Sequence, residues 1–443
     1  MKTNKFNRRE FIKKSSAGAV GFSVAASAKS YANILGANDR MNFAAVGVHG
    51  RGKALILAAS QQKNTSMSAI CDVDERESDI AGKFVKDKFG KKPKFYTDIR
   101  KLLEDKDIDA ILIATPDHWH APMSLMGVQA DKHVYVEKPC SHNPREGELL
   151  VEARQKYGKV IQMGNQQRSG LISIQAMKDI QEGLIGDVYY GKAWYANDRK
   201  SIGTGKAVEV PSWLDWELWQ GPAPREEYKD NFVHYNWHWF TNWGTGEICN
   251  NGTHEIDICR WALGASYPKT VASSGGRFHF KDDWEFYDTQ VANFEFDGGK
   301  MLSWEGRSCN GLRQYKRGRG ATIHGTKGTI LLDRNNYIAY DNDQNVIKEM
   351  AAKDISATTD TTGVGGLDVY HMSNFINAIK DGEKLHSPIE EGHISTLLCH
   401  LGNISQRVGR KLNLDASNGH ILNDPEAMEH WGREYAPGWD MKV

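Results

Sequence analysis

Four short runs carry side chains able to hold a nucleotide, grip an oxygen or move a proton. The first, Gly47-Val48-His49-Gly50-Arg51-Gly52, ends an apolar run and opens a helical one. Its first glycine permits a tight turn, its last permits close helix–strand contact, and a helix N-terminus faces a pyrophosphate. His49 stands where the usual G-x-G-x-x-G pattern has its second glycine, and Gly50 is the neighbour that could restore close backbone approach. Asp72 ends the next apolar run, at the spacing of an acid that takes ribose hydroxyls and repels a 2′-phosphate. That favours NAD over NADP, with Asp74 as the competing acid. Alone, the turn reads equally as a glycine-rich connector.

The second run is Ala114-Thr115-Pro116-Asp117-His118-Trp119-His120, at the end of the fourth predicted strand, where open α/β sheets bind ligands. Thr115, Pro116 and His120 are expected to line the cofactor. A short H-x-H without further ligands is poor metal chemistry, so no metal is assigned. In the third, Glu137-Lys138-Pro139, a lysine beside a nicotinamide could hold a substrate hydroxyl and steady negative charge developing on its oxygen. The alternative is an exposed loop lysine. The fourth runs from Gly246 to Trp261 and reads as helix from His254, which places His254, Asp257 and Trp261 on one face. A histidine near neutrality can accept a hydroxyl proton. The alternative is a helix-end histidine paired with Asp257 for stability.

The elements that must position these runs alternate. Strands are expected at 42–48, 67–73, 94–96, 109–114, 133–136 and 160–163, with helices between them, and Asp98 caps one of the helices. This pattern implies a doubly wound parallel sheet, an α/β Rossmann domain over 41–163. Beyond it the texture changes to strand-like runs at 189–195, 270–280 and 290–296, rich in β-branched and aromatic residues. Few helices separate the strands after Lys269, so residues 164–443 should form an α+β domain with a largely antiparallel sheet. Helices near 372–379 and 393–412 should pack on both domains, and 354–366 reads as an exposed loop.

Taken together and in this order, the runs resemble the glucose–fructose oxidoreductase / inositol dehydrogenase / rhizopine-catabolism (Gfo/Idh/MocA) family over about 42–412. The most specific matches are the segment from Ala114, the triplet at 137–139 and the segment from Gly252 to Trp261; Gly164–Ser169 is also similar. The resemblance implies a catalytic lysine at Lys138 and a catalytic histidine at His254, with NAD along the first domain. Asn250 stands where the family commonly has Asp, four residues before the histidine. An amide can orient a hydroxyl but gives an imidazolium no charge. Asn250 and Asp257 are then expected to position the reacting group. The implied reaction is hydride transfer from a hydroxyl-bearing carbon of a sugar or sugar derivative. The rival enzyme reading is an NAD-dependent glycosidase that transiently oxidises its sugar. A third, of another class, is a non-catalytic sugar-binding or partner protein. The aromatic strip Trp213–Trp243 would offer stacking faces to sugar rings, or else a tryptophan-lined core.

Composition bounds the rest. With 56 Lys/Arg against 56 Asp/Glu there is no basic surface for nucleic acid. No apolar run is long enough for a membrane span. Six cysteines without a C-x-x-C pair read as buried small apolar residues. Residues 1–32 differ: Arg8 and Arg9 followed by Glu10, Phe11, Ile12 and Lys13, then a small, mildly apolar stretch, are similar to a twin-arginine export signal. Removing those residues leaves 49 positive against 55 negative groups, a net charge of −6. Export in the folded state to a periplasm without a soluble NAD pool implies a tightly held NAD. The resemblance also implies a homo-oligomer joined through the second-domain sheet.

Overall fold

The computed structural model describes residues 40–351 and 366–443. The export signal expected at 1–32 lies outside the described residues, as does the loop expected at 354–366 except for Gly366, which opens a helix.

The first sheet contains β1 (Met41–Val46), β2 (Thr65–Cys71), β3 (Lys94–Tyr96), β4 (Ala110–Ile113), β5 (His133–Val136) and β6 (Ile161–Met163). All pair in parallel in the order β3-β2-β1-β4-β5-β6. The sequence Ala-Ile-Leu-Ile of β4 is buried at every residue, because helices cover both faces of a parallel sheet. Chain order reverses between β1 and β4. Their carboxyl ends therefore open a crevice, and the glycine turn and the Ala114 turn meet there. Asp98 caps the helix Ile99–Leu102 by accepting from Arg100 N, as its position predicts.

The second sheet has nine strands in the order β14-β13-β12-β11-β7-β10-β9-β8-β15. These are β7 (Val188–Ala196), β8 (Thr270–Gly276), β9 (Thr289–Phe296), β10 (Lys300–Arg307), β11 (Arg319–Gly325), β12 (Gly328–Leu332), β13 (Asn336–Asp341), β14 (Val346–Ala351) and β15 (Leu412–Asn413). Only β7 and β10 pair in parallel; the other seven pairings are antiparallel. One face is buried, as the alternation of β9 shows: Gln290, Ala292, Phe294 and Phe296 point inward. Ala292, Phe294 and Phe296 pack with Leu302, Trp304 and Ile323 beneath the helices Thr253–Leu263 and Ile389–Val408.

The chain does not divide cleanly at residue 164. Met372, Phe375 and Ile376, on the helix Gly366–Asp381, share a core with Phe43, Leu55 and Tyr135. Trp439, Met441 and Val443 pack against the other side of the first sheet. The C-terminal part therefore completes the Rossmann core, burying apolar surface that 41–163 alone would leave wet. Among the described residues no helix is long and apolar enough to cross a membrane. All six cysteines are buried and free.

Candidate active site

The glycine turn is held by sterics. Gly47 has φ +74°, and a Cβ on it would meet Ala114 O at 2.7 Å; one on Gly52 would meet Gly47 O at 2.0 Å. Neither position admits a side chain, so β1, the Ala114 turn and the helix Gly50–Ser60 close on one another. His49 leaves the turn for the rim: its Nδ1 lies 3.0 Å from Glu77, and its ring stacks on His234 at 4.8 Å. Asp72 lines the cavity, and its Oδ2 accepts from Val48 N at 2.7 Å. Burial pushes its carboxyl above the usual range. Asp74 does not reach the cavity. It caps the helix Glu75–Phe89 and pairs with Arg76 and His234, so the end-of-strand acid is the one presented.

Thr115 Oγ1 is buried in the cavity wall with no partner, a polar atom left for a ligand. Pro116 lines the wall beside it. His120 is a brace, since its two ring nitrogens face Pro139 O at 2.6 Å and Thr115 O at 2.8 Å. His118 Nε2 faces Trp219 O at 3.0 Å, and burial drops its pKa to about 3. Both histidines are thus committed to carbonyls, and among the described residues no group of three or more His, Cys, Asp or Glu could hold a metal. A cradle that any Cβ would fill, an unpartnered hydroxyl and an acid at the end of β2 fit a dinucleotide.

Arg51 ties the turn to its surroundings. Its Nε meets Glu137 at 2.8 Å and its Nη1 meets Asp368 at 2.9 Å. Glu137 also accepts from Gln166 at 3.0 Å. Lys138 follows β5 into the cavity, where its Nζ donates to Asn250 O at 2.6 Å and Asn250 Oδ1 at 3.1 Å. Burial lowers its pKa. Asn250 sits in the π-helical turn Ile248–Gly252, a widened turn that leads into the helix Thr253–Leu263. His254 opens that helix at 6% exposure, with Nδ1 unpartnered. Burial, then the charges of Arg334, Arg319 and Lys138, hold its pKa well below the usual imidazole value. The ring is therefore neutral at neutral pH.

Asp257 departs from expectation. It does not line the cavity. Its carboxylate accepts from Arg168 at 2.8 Å and from Ser395 Oγ at 2.6 Å, and no hydrogen bond joins it to His254. Residues three apart still differ by about 60° around a helix axis, enough for Arg168 and Ser395 to draw this side chain to the flank away from the cavity. Trp261 likewise packs against the second-domain core. The aromatic strip is mainly a core of its own: Trp216, Trp219 and Trp243 are buried and pack on one another. Trp219 and Trp237 alone of its tryptophans reach the cavity.

The cavity measures about 870 Å³ and lies between the carboxyl edge of the first sheet and the second domain. Sequence reasoning missed Tyr195, His238, Arg319, Arg334 and Asp368, all in its wall. No spacing signalled them, because they come from strands, helices and a turn remote along the chain.

Such a cradle, facing a lysine and a histidine across one cavity, defines a class of two-domain dinucleotide-binding proteins. The chain belongs to the Gfo/Idh/MocA family: residues 41–165 match its "Oxidoreductase family, NAD-binding Rossmann fold" and residues 214–414 its "Oxidoreductase family, C-terminal alpha/beta domain". A glycosyl hydrolase family 109 protein of Shewanella pealeana is 28% identical over 213 residues, 44% of this chain and 47% of that protein. The chain spans about half or less of the length of the first curated relatives it matches. The WlbA dehydrogenase from Bordetella pertussis, in complex with NADH and UDP-GlcNAcA, has TM-score 0.63 at 20% identity, covering 85% of this chain and 99% of that one. Levoglucosan dehydrogenase, in complex with NADH and levoglucosan, has TM-score 0.66 at 20% identity, covering 84% and 99%. At that identity the likeness is one of fold.

Proposed function

We propose that this protein is an NAD-dependent oxidoreductase acting on a hydroxyl-bearing carbon of a sugar or sugar derivative. The observation that carries the reading is the meeting of Lys138, Asn250 and His254 on a cavity whose other end is the Gly47–Gly52 cradle. The Gly47–Gly52 turn, Thr115 and Asp72 would hold NAD, which would supply the hydride acceptor for that carbon. His254, neutral and with a free ring nitrogen, takes the hydroxyl proton. The Lys138 ammonium, anchored by Asn250, holds the same oxygen and steadies its charge as the carbonyl forms. Asp72 meets the ribose hydroxyls and disfavours a 2′-phosphate, so NAD is preferred to NADP. The two solved neighbours, each in complex with NADH and a sugar compound, support this reading.

The Shewanella relative favours a second reading, glycoside cleavage through transient oxidation, elimination and re-reduction. One experiment separates the two. Purified protein with NAD+ is offered sugars, sugar derivatives and aryl glycosides while NADH and released aglycone are followed. Net NADH supports the first reading; aglycone without net NADH supports the second. If neither forms and no nucleotide binds by calorimetry, both readings fail.

Export through the twin-arginine route, with NAD already tightly held, belongs to the same proposal. Arg8→Lys with Arg9→Lys should leave a longer precursor in the cytoplasm, because lysine lacks the planar guanidinium of the motif. Unchanged periplasmic delivery of that variant would argue against it. The outer face of the nine-stranded sheet is proposed to join copies of the chain, and a monomer mass by light scattering would exclude that.

A further inference from the structure

The second-domain side of the cavity is cationic beyond what its own acids neutralise. Arg313, Lys316 and Arg317 come from the β10–β11 connection, Arg319 from β11 and Arg334 from the β12–β13 turn. Two acids, Asp198 and Asp333, share that side, and each already has a partner, Lys200 and Arg317. Arg319 is spent on Glu255 through two contacts of 2.8 Å. Arg317 keeps one nitrogen free: its Nε meets Asp333 at 2.9 Å and its Nη2 donates to Asn336 Oδ1, while its Nη1 is buried without a partner. Arg334 has no hydrogen bond or ion pair with any described residue, and its Nε is buried and unpartnered. Acids across the cavity do not answer it, since Glu137 and Asp368 are taken by Arg51 and Asp117 accepts from Thr245.

Arg334 is half-buried in the cavity wall, and no carboxylate bonds to it; a guanidinium so shielded without a bonded counter-charge is costly, and a protein keeps one where a ligand supplies the charge. Burial and the neighbouring Arg319 push Arg334 down to about 9, against the weaker pull of Glu255 and Asp368. We propose that the substrate carries an anionic group, a carboxylate or a phosphate, received by Arg334 and the unpartnered Nη1 of Arg317; this rests on the oxidoreductase reading of the site. Planar guanidinium donors suit both anions. The glycine turn and Asp72, which would hold the dinucleotide, belong to the other domain. Arg334 hangs from the second sheet, where its charge acts on His254 more strongly than any other. An anion placed there also offsets the positive charge crowding the proton acceptor.

The test uses the full chain loaded with NADH and three matched probes: a neutral hexose, its uronate and its 6-phosphate. Binding is read by calorimetry and by the fluorescence of bound NADH, so no turnover is needed. At least one anionic probe should bind about tenfold or more tighter than the hexose. The uronate and phosphate arms tell the two anions apart. Arg334→Gln should erase the preference, Arg334→Lys should keep part of it, and unchanged NADH affinity reports that the variants fold. Equal affinity for neutral and anionic probes, no binding of either anion, or a preference that survives Arg334→Gln would overturn the proposal. It also falls if Arg334→Gln weakens NADH and leaves the sugar preference intact, because the anion served is then the cofactor's pyrophosphate. A clear preference without NADH formation from any sugar would remove the oxidoreductase reading and leave the anion site standing.

Discussion

Lys138 enters the cavity as a half-buried ammonium gripped by the two oxygens of Asn250. Replacing Lys138 or His254 by alanine should cut turnover by roughly two to four orders of magnitude while NADH still binds. Single-turnover assays with a sugar found to be oxidised check this, and full activity in both variants would refute the assignment. Asn250→Asp is the finer probe. The amide oxygen already points at Lys138, and its nitrogen makes only a long, 3.5 Å contact with Glu247. A carboxylate there favours the charged forms of both Lys138 and His254, whose pKa values burial has lowered. Both limbs of the pH–rate profile should therefore move up, by about one unit or more. An unmoved profile with a lower rate would instead assign the amide a direct contact with substrate.

The helix Thr253–Leu263 presents His254 to the cavity only because its other side is pinned. Asp257 joins Arg168 from the turn after β6 to Ser395 from the helix Ile389–Val408. Arg260 also reaches Ser395, at 2.9 Å. Asp257→Ala would leave the Arg168 guanidinium, 7% exposed, without its main partner. Breaking a buried pair in this way costs about 3–5 kcal/mol. Thermal unfolding should show a clear loss of Tm, with NADH affinity of the folded protein unchanged. A drop in turnover at unchanged Tm would restore Asp257 to the catalytic group.

At the scale of the whole molecule, burial of histidines sets an acid limit. His118 and His400 are driven to about 3, and His371 and His393 to about 4, chiefly by burial. The folded chain keeps these rings neutral, whereas the unfolded chain protonates them below about 6.5. Between those values the unfolded state binds more protons, so stability falls as pH falls, by up to about 1.4 kcal/mol per histidine per pH unit. Tm measured without nucleotide should hold near pH 7 and drop steadily toward about pH 5. A flat Tm over that window would mean that these rings are not buried in solution.

What the sequence determined by itself was local. Glycines that no side chain can replace, an acid closing β2, apolar runs with period two and Asp98 before a helix are dictated by neighbours along the chain, so the parallel sheet and the dinucleotide cradle were legible, while the order of the motifs singled out Lys138 and His254, which line one cavity. The largely antiparallel second sheet also followed, from strands too close together for crossover helices. Tertiary packing decided the rest. Whether Asp257 faces the cavity or Arg168 depends on a turn and a helix about 90 and 140 residues away. Most of the aromatic strip became a core because its rings bury apolar surface against one another. The cations at 317, 319 and 334 become one wall only when β11 and the β12–β13 turn fold over the Rossmann edge. Side chains that meet through sheet order rather than chain order leave no spacing in the sequence to read.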